Sequence, residues 1–312
     1  MAATEHRGTV MACQLHIIVN QPDGRAPVDL DGAVDLLDHL EARWSRFLPD
    51  SDITRINDGA GTPVAVAPET VRLVETMRAA WDLTQGRYDP TILPILVANG
   101  YATSRVDAAR STVLPAGPFR VGAMDQITVD PAASTVTIPT GVALDPGGIG
   151  KGLAADKAVA LLLDGGADGA LVSIGGDLAC AGDAPEPDGW RVNIERADPG
   201  ETPLCRTMID HGGVATSSTR SRRWDHEGRP RHHAIDPATG DQSDTDLAAV
   251  TVFATSGWRA EAFATAALLA GSRSVIAYLD SHHLSGLAIT GDGDVLRTGD
   301  LSDLELSLAG GR

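Results

Sequence analysis

Apolar residues recur at helical spacing in two stretches of the first hundred residues. The first stretch carries acids early and arginines late, as the helix dipole favours, and it predicts an amphipathic helix over residues 29–47. A break near Pro49 offers a new N-cap and a short turn that ends near Asn57. A proline at its start and a glycine after its end predict a second helix over 68–85. The apolar face of the first helix consists of Leu30, Val34, Leu37, Leu40 and Trp44.

β-branched runs and glycine turns dominate the rest of the chain. A hairpin over 127–129 and 135–138 leads into 142–144, and a glycine-rich turn then precedes a helix over 152–163. This mixture of strand runs and helices predicts an α+β fold. We find no linker or repeat, so residues 1–312 are expected to form one domain, or two intimate subdomains. Further strands are predicted at 170–174 and near 190–195, 204–209, 248–254 and 286–297, and helices near 257–270 and 272–281.

The net negative charge of the chain disfavours polyanionic binding partners. The 312 residues contain 25 Lys and Arg against 42 Asp and Glu, a formal charge of −17. Such a chain repels nucleic acid and anionic lipid, although backbone amides and a metal can still bind a small phosphate ligand. No apolar run is long enough for a membrane span, and polar residues 4–9 precede the apolar ones at the N-terminus, which predicts a strand there and no secretory signal. Three scattered cysteines favour the reducing cytoplasm.

The densest chemical signal is the glycine turn over residues 144–152. Its glycines let a ligand approach the backbone closely, the following helix offers free N–H groups, and Lys151 adds a cation suited to phosphate. The spacing fits neither a P-loop nor a dinucleotide-binding fingerprint, because Asp145 and Gly152 occupy the P-loop positions for glycine and a hydroxyl residue. A tight connection between a strand and a helix is the alternative.

Two further segments carry weaker signals. Gly175-Gly176-Asp177 follows an apolar strand, and paired glycines there permit close approach of a ligand or another backbone, or simply make a turn. Thr216 and Ser217 precede a histidine pair, so His233 could accept a proton from a hydroxyl, or be solvated.

Glu261 and Thr265 share one face of the helix expected near 257–270. Their oxygens suit a hard cation, while ordinary helix capping and a threonine bonded back to its own helix are the alternatives.

Taken in order, these segments resemble the FAD:protein FMN transferases, the ApbE-like family, over about residues 11–271. The motifs that carry the resemblance are Trp44-Ser45-Arg46-Phe47, Pro49-x-Ser51, Asn57, Gly86-Arg87-Tyr88-Asp89-Pro90-Thr91, Pro94, Asn99-Gly100-Tyr101, Leu144-Asp145-Pro146-Gly147-Gly148-Ile149-Gly150-Lys151-Gly152, Asp156, Ser173-Ile174-Gly175-Gly176-Asp177, Ala215-Thr216-Ser217, His233-Ala234-Ile235-Asp236-Pro237-x-x-Gly240 and Ala260-Glu261-Ala262 with Thr265.

The resemblance implies an α+β fold of the T-fold type, with mixed sheets, packed helices and an FAD cleft between two halves. It implies Mg²⁺-dependent cleavage of FAD, transfer of FMN through a phosphoester bond to a threonine of a target flavoprotein, and release of AMP. Glu261, Thr265 and the carbonyl of Gly150 would hold the metal, and His233 and Lys151 would be catalytic. Contacts with FAD are expected at Met11, Phe47, Asn57, Tyr88, Asp89, Asp145, Gly147, Gly148, Leu153, Asp156, Gly175, Gly176, Thr216, Ser217 and Ile235.

The chain departs from the family pattern at several positions. Glu261 stands where the family more often has Asp, and Ala264 replaces a carboxylate found in some members, which predicts weaker Mg²⁺ binding. The segments 11–13 and 216–218 lack glycines that the family favours. Two other functions stay open, Mg²⁺-dependent hydrolysis of FAD to FMN and AMP, and silent FAD binding. No segment resembles the family's target motif, Asp followed at a distance by Ser/Thr-Gly/Ser-Ala-Thr, so the acceptor is expected to be another protein.

Overall fold

The computed structural model describes residues 2–21, 27–104, 106–197 and 202–302. None of the helices in this part of the chain combines the length and apolar character needed to cross a bilayer. The helices are α1 (Leu30–Trp44), α2 (Asp52–Asp58), α3 (Pro68–Leu83), α4 (Leu93–Ala98), α5 (Gly150–Asp164), α6 (Gly257–Leu268) and α7 (Val275–Ser281).

One antiparallel sheet of eight strands organises the described residues. Its order is β1-β2-β6-β7-β10-β15-β16-β17, so strands from the start and the end of the chain form its two edges. Smaller sheets have the orders β3-β5-β4, β8-β9, β11-β12 and β13-β14. The strands are β1 (Ala2–Val10), β2 (Cys13–Gln21), β3 (Val64–Ala65), β4 (Thr128–Asp130), β5 (Thr135–Thr137), β6 (Gly169–Ile174), β7 (Asp177–Gly182), β8 (Trp190–Ile194), β9 (Cys205–Ile209), β10 (Gly212–Ser218), β11 (Arg223–His226), β12 (Arg229–His232), β13 (Ile235–Asp236), β14 (Asp241–Gln242), β15 (Leu247–Ala254), β16 (Ser285–Thr290) and β17 (Val295–Arg297).

The two faces of the main sheet are covered by different elements. Alternate residues of β6 divide between two cores, with Val172 packing towards the helices and Leu171 towards the opposite face. Helix α5 lies over β6 and β7, and α6 lies over β10 and β15. The hairpin of β8 and β9 covers the other face, where Trp190 is buried. The sheet therefore places α5 and α6 side by side on one face.

Most elements predicted from the periodicity are present, and the α+β class is confirmed. Helix α5 begins at Gly150, two residues before its expected start, because its early N–H groups find partners outside the helix. Residues 142–144 form no strand, since the backbone of Leu144 bonds to the side chain of Asn57 and Asp145 N–H donates to the carbonyl of Pro90. The stretch 286–297 divides into β16 and β17 around a turn with Gly293 at φ +94°.

Candidate active site

Two glycines allow the N-terminal ends of α5 and α6 to touch. A Cβ on Gly152 would lie 2.3 Å from the carbonyl oxygen of Gly257, a distance that no side chain tolerates. Asp156, one turn further along α5, accepts hydrogen bonds from Gly257 N–H at 2.7 Å and Trp258 N–H at 3.0 Å. Its carboxylate therefore caps α6 and fixes the crossing. Glu261, one turn into α6, consequently faces the start of α5.

Three charged side chains meet at this crossing. Glu261 Oε2 accepts from Gly152 N–H at 2.8 Å, and Glu261 Oε1 lies 2.5 Å from Lys151 Nζ. The same ammonium forms an ion pair with Asp177, which begins β7 after the Gly175-Gly176 turn. The side chains of Lys151, Asp177 and Glu261 are 17%, 8% and 5% exposed, so little water screens the cluster.

The pKa shifts of the cluster follow from burial and charge. Burial alone would lower the pKa of Lys151, but Asp177 and Glu261 together raise it above its usual range. Burial raises the pKa of Glu261, with a further rise from Asp177 that the charge of Lys151 opposes. Lys151 is therefore a permanent cation, which suits it to hold a phosphate or a carboxylate.

Hydroxyl groups from β10 and α6 border the cluster. Thr265 Oγ1 donates to the carbonyl of Glu261 at 3.3 Å and lies 3.1 Å from Ser217 Oγ. Thr216 N–H donates to Asp177 Oδ1 at 3.2 Å, and its hydroxyl lies 2.9 Å from that of Thr251. The strand and the helix thus bring carboxylate and hydroxyl oxygens into one small volume.

This oxygen-rich volume fits a hard divalent cation. Within the described ranges, no three His, Cys, Asp or Glu side chains are grouped as a metal site. Glu261 and Thr265 supply one carboxylate and one hydroxyl there, and the expectation that they hold a metal together with the carbonyl of Gly150 stays a prediction.

The glycine turn forms the wall next to the cluster. Gly148 has φ +80°, and a Cβ there would lie 3.2 Å from Thr265 Oγ1 and 3.1 Å from Tyr88 Cε2. Gly147 N–H donates to Asp145 Oδ1 at 2.9 Å. The Tyr88 hydroxyl is buried without a hydrogen-bond partner, and burial raises its pKa well above the usual value. An unpaired buried hydroxyl beside an open backbone is suited to a polar ligand.

An aromatic and cationic group lies beyond the turn. The Arg46 guanidinium is 3.5 Å from Asp145 Oδ2 and stands 4.1 Å above the ring of Phe47. Phe47 meets Tyr101 edge to face at 6.1 Å, and Trp224 stacks on Tyr101 at 5.0 Å. Flat aromatic surfaces of this kind suit a planar ring system.

His233 lies close enough to the cluster for the charge of Lys151 to act on it. Its Nδ1 is buried without a hydrogen-bond partner. Burial lowers its pKa well below 6.5, and the charges of Arg222, His232 and Lys151 lower it further. The imidazole is therefore neutral at pH 7 and able to accept a proton.

Other predicted nucleotide contacts use their polar atoms within the protein. Both amide atoms of Asn57 bond to the backbone of Leu144, at 3.0 and 2.7 Å. Asp89 accepts from Thr91 and from Gly122 N–H, the latter at 2.9 Å. Together with Asp156, these side chains hold the loops and helices around the site, and their contact with a nucleotide stays a prediction.

The remaining predicted contacts lie in two strand turns, in α5 and in β13. Met11 is in the β1–β2 turn, whose Cys13 is so near Gly175 that a Cβ there would lie 2.9 Å from its sulfur. Gly176 completes the adjoining β6–β7 turn. Leu153 in α5 and Ile235 in β13 are buried apolar residues.

The sequence reasoning missed two charged residues at the site. The sequence signal at Asp177 came only from the two glycines before it. In the structure, Asp177 and Glu261 both form ion pairs with Lys151. Arg222 was not singled out, yet its charge acts on Asp177 and Glu261. The available signal for Arg222 was the concentration of arginines at 220–231 in an acidic chain.

Solved structures place the fold of this chain in a known class. The ApbE protein of Thermotoga maritima superposes with a TM-score of 0.83 over 96% of this chain and 98% of that one, at 23% identity. The apo flavinyl transferase ApbE of Pseudomonas stutzeri gives 0.80 over 97% and 96%, at 24% identity. At these identities the likeness establishes a shared α+β fold.

Sequence comparison identifies the family. Residues 8–289 match the ApbE family. A curated FAD:protein FMN transferase of Treponema pallidum is 28% identical over 284 residues, which cover 86% of this chain and 78% of that protein. The one of Vibrio cholerae is 25% identical over 286 residues, covering 88% and 84%. The chain belongs to the ApbE family, which confirms the resemblance carried by its motifs.

Proposed function

We propose that this chain is an FAD:protein FMN transferase that works in the cytoplasm. Its membership of the ApbE family and the names of its curated relatives support a flavin transferase. The observation that carries the proposal is the buried meeting of Lys151, Asp177 and Glu261 at the crossing of α5 and α6. Beside it lie a glycine wall and aromatic rings, so the site offers surfaces for both a pyrophosphate and a flat ring.

On this proposal, FAD is cleaved and FMN passes to a threonine hydroxyl of an acceptor flavoprotein. The hydroxyl oxygen attacks the phosphorus on the FMN side of the pyrophosphate. The new P–O bond forms as the P–O bond to the AMP phosphate breaks, and AMP leaves with the bonding electrons. Such a transfer needs positioning and neutralisation of charge more than covalent help from the protein.

Each residue near the cluster has a separate part in this reaction. Neutral His233 takes the proton of the attacking hydroxyl, a role worth roughly 10²–10⁴-fold in rate. Lys151 holds a phosphate oxygen or orients Glu261. Glu261, Thr265 and the carbonyl of Gly150 would hold Mg²⁺, which neutralises charge on the phosphates when bound.

AMP release separates transfer from its alternatives. The purified protein is incubated with FAD and Mg²⁺, with and without a synthetic acceptor peptide that contains Ser-Gly-Ala-Thr downstream of an Asp. We expect AMP release and an added FMN mass only when the peptide is present, and loss of both with a chelator. AMP release without an acceptor would establish hydrolysis, and FAD binding with no AMP under any condition would leave a silent binding protein.

His233→Ala tests the assigned base. We expect transfer to fall by about 10²–10⁴-fold while quenching of flavin fluorescence reports unchanged FAD affinity, because the ring acts on the acceptor hydroxyl. His232→Ala removes the neighbouring imidazole and serves as the matched control. Normal transfer by the His233 variant would exclude it as the base.

A further inference from the structure

Positive charge is concentrated in one short segment of this acidic chain. Residues 220–233 hold five of its 25 Lys and Arg but only two of its 42 Asp and Glu, and three of its nine histidines. The segment has a formal charge of +3, whereas the chain as a whole has −17. Most of it forms the β11–β12 hairpin.

The strand register divides the basic residues of this hairpin between its two faces, with His226, Arg229 and Arg231 on one face and Arg223 and His232 on the other. Trp224 pairs with Arg231 and His226 with Arg229, and directly paired residues of antiparallel strands project to the same side. Trp224 and His226 are half-buried, while the alternate residues of β11 are exposed. Asp225 belongs to the outer face. We call the side that carries Trp224, His226, Arg229 and Arg231 the inner face.

The inner face bridges from the candidate active site to the loop at residues 99–101. Trp224 stacks on Tyr101 and donates its indole N–H to the carbonyl of Asn99 at 2.7 Å. The ring of His226 lies against Gly100, where a Cβ would be 2.6 Å from its Nδ1. At the site end, Arg222 precedes β11 and His233 follows β12, so the inner face leads directly to the proposed base.

Part of this positive charge has no partner within the described part of the chain. Arg231 forms an ion pair with Asp241 at 3.2 Å. Arg229 is exposed and forms neither an ion pair nor a hydrogen bond with any described residue. Arg222, by contrast, is half-buried, its backbone forms a hydrogen bond with the ring of His233, and its charge acts on Asp177 and Glu261. Arg229 is therefore available to an external anion.

We propose that the exposed end of the inner face of the β11–β12 hairpin, at Arg229, docks an acidic segment of the acceptor protein beside the threonine that receives FMN. This inference rests on the proposed function, which requires a protein acceptor. The four steps from Arg229 to His233 span about 13 Å of extended chain, so the acidic residues belong within roughly four positions of the threonine. Exposed arginines beside an aromatic anchor are typical of protein interfaces. A long nucleic acid would also meet the negative charge of the rest of the chain, whereas a short acidic segment meets only this basic patch.

Two arginines of the hairpin provide a matched pair of variants. Arg229→Glu reverses a charge on the inner face, and Arg223→Glu makes the same change on the outer face. Both side chains are exposed and form no ion pair or hydrogen bond with a described residue, although the charge of Arg223 acts on the neighbouring His232. The probes are two fluorescent 16-residue peptides with a central Ser-Gly-Ala-Thr, one flanked by glutamates and one by glutamines.

The glutamate peptide is expected to bind the wild-type protein more tightly than the glutamine peptide in an anisotropy titration. Arg229→Glu should raise its Kd by about tenfold and Arg223→Glu by less than about twofold, while FAD affinity stays unchanged. A lysine-flanked peptide should recover binding to the Arg229 variant. For peptides that accept FMN, the KM for peptide should rise without a change in the KM for FAD.

Several results would overturn the docking surface. Equal effects of the two variants, or equal Kd values for the two peptides, would show no role for the inner face. A change in FAD affinity with Arg229→Glu would assign the face to the nucleotide. Displacement of the peptide by an equal concentration of a 16-nucleotide single-stranded DNA would indicate general polyanion binding. Absence of AMP release with every acceptor would instead refute the transferase function, so the two failures are distinguishable.

Discussion

The helix crossing and the β11–β12 hairpin handle charge in opposite ways. At the crossing, Lys151 is shared by Asp177 and Glu261, and all three side chains are nearly buried. In the hairpin, Arg223 and Arg229 are exposed and have no partner among the described residues. Because burial removes the screening by water, a charge at the crossing must be paired. A charge on the hairpin is solvated by water and stays free to bind a ligand.

The two regions also differ in how closely their backbone packs against neighbouring elements. The crossing depends on backbone contact between Gly152 and Gly257, which leaves no room for relative movement. The hairpin contacts the rest of the protein through side chains, with Trp224 on Tyr101 and Asn99 and Arg231 paired with Asp241. A rigid element suits the positioning of reacting groups, and an exposed one suits contact with a partner.

Removal of the shared cation is expected to have the largest effect. Lys151→Met leaves two buried carboxylates facing each other, so the free energy of unfolding should fall by about 3 kcal/mol in urea denaturation. Mg²⁺ should raise the melting temperature of the variant more than that of the wild type, since it can neutralise the same carboxylates.

The control for Lys151→Met is an ion pair on the surface. Arg72 lies 3.7 Å from Glu75, and their side chains are 64% and 39% exposed. Arg72→Met should change stability by less than about 1 kcal/mol. If the two variants lost similar amounts, the contrast between paired buried charge and free surface charge would be refuted.

A methyl group at the crossing is expected to rank second. Gly152→Ala places a Cβ against the Gly257 carbonyl, so α5 and α6 must separate, at a cost of about 1–3 kcal/mol. Glu261 would then lose its bond to the N–H of residue 152, and transfer should fall with stability. Gly299→Ala is the control, because a Cβ there meets no atom within 4 Å. Full stability and activity of the Gly152 variant would show that close contact of the helices is unnecessary.

Local patterns were sufficient to predict much of the candidate site. Glu261 and Thr265 are four residues apart on one helix, and Lys151 lies in a glycine-rich turn, so neither signal needs knowledge of the fold. The first two helices were predicted for the same reason, since their apolar residues repeat within a single element.

Contacts between distant parts of the chain could not be predicted in this way. Asp177 meets Lys151 because β7 and α5 pack together, and Glu261 meets Gly152 across 109 residues of sequence. Asn57 and Asp156 were interpreted as nucleotide ligands, while the structure gives both of them internal hydrogen bonds to backbone. A polar residue in a motif looks the same in sequence whether it binds a ligand or holds a loop.

The cap of α6 should make stability depend on pH. Burial raises the pKa of Asp156 to about 6, and its two amide donors offset only part of this rise. Because the carboxyl pKa is higher in the folded state than in the unfolded state, protonation of Asp156 favours folding. This contribution to the free energy of unfolding is fully present below about pH 4 and is lost as the pH rises through 6. Between pH 7 and pH 5, wild type should gain about 1 kcal/mol relative to Asp156→Asn in urea denaturation. A difference that stays constant, or that grows as pH rises, would contradict the assigned shift.

The smallest expected effect concerns the β1–β2 turn beside the crossing. Met11 and Ala12 have φ of +51° and +59° between the paired residues Val10 and Cys13, a conformation in which a Cβ is strained. Ala12→Gly should therefore raise the free energy of unfolding by about 0.5–1 kcal/mol.

Ala3→Gly, in strand β1 of the same hairpin, is the control for this turn and should lower stability, because a glycine there only adds freedom to the unfolded chain. Denaturation of both variants in urea gives the comparison. Destabilisation of equal size by both glycines would mean that the β1–β2 turn stores no backbone strain.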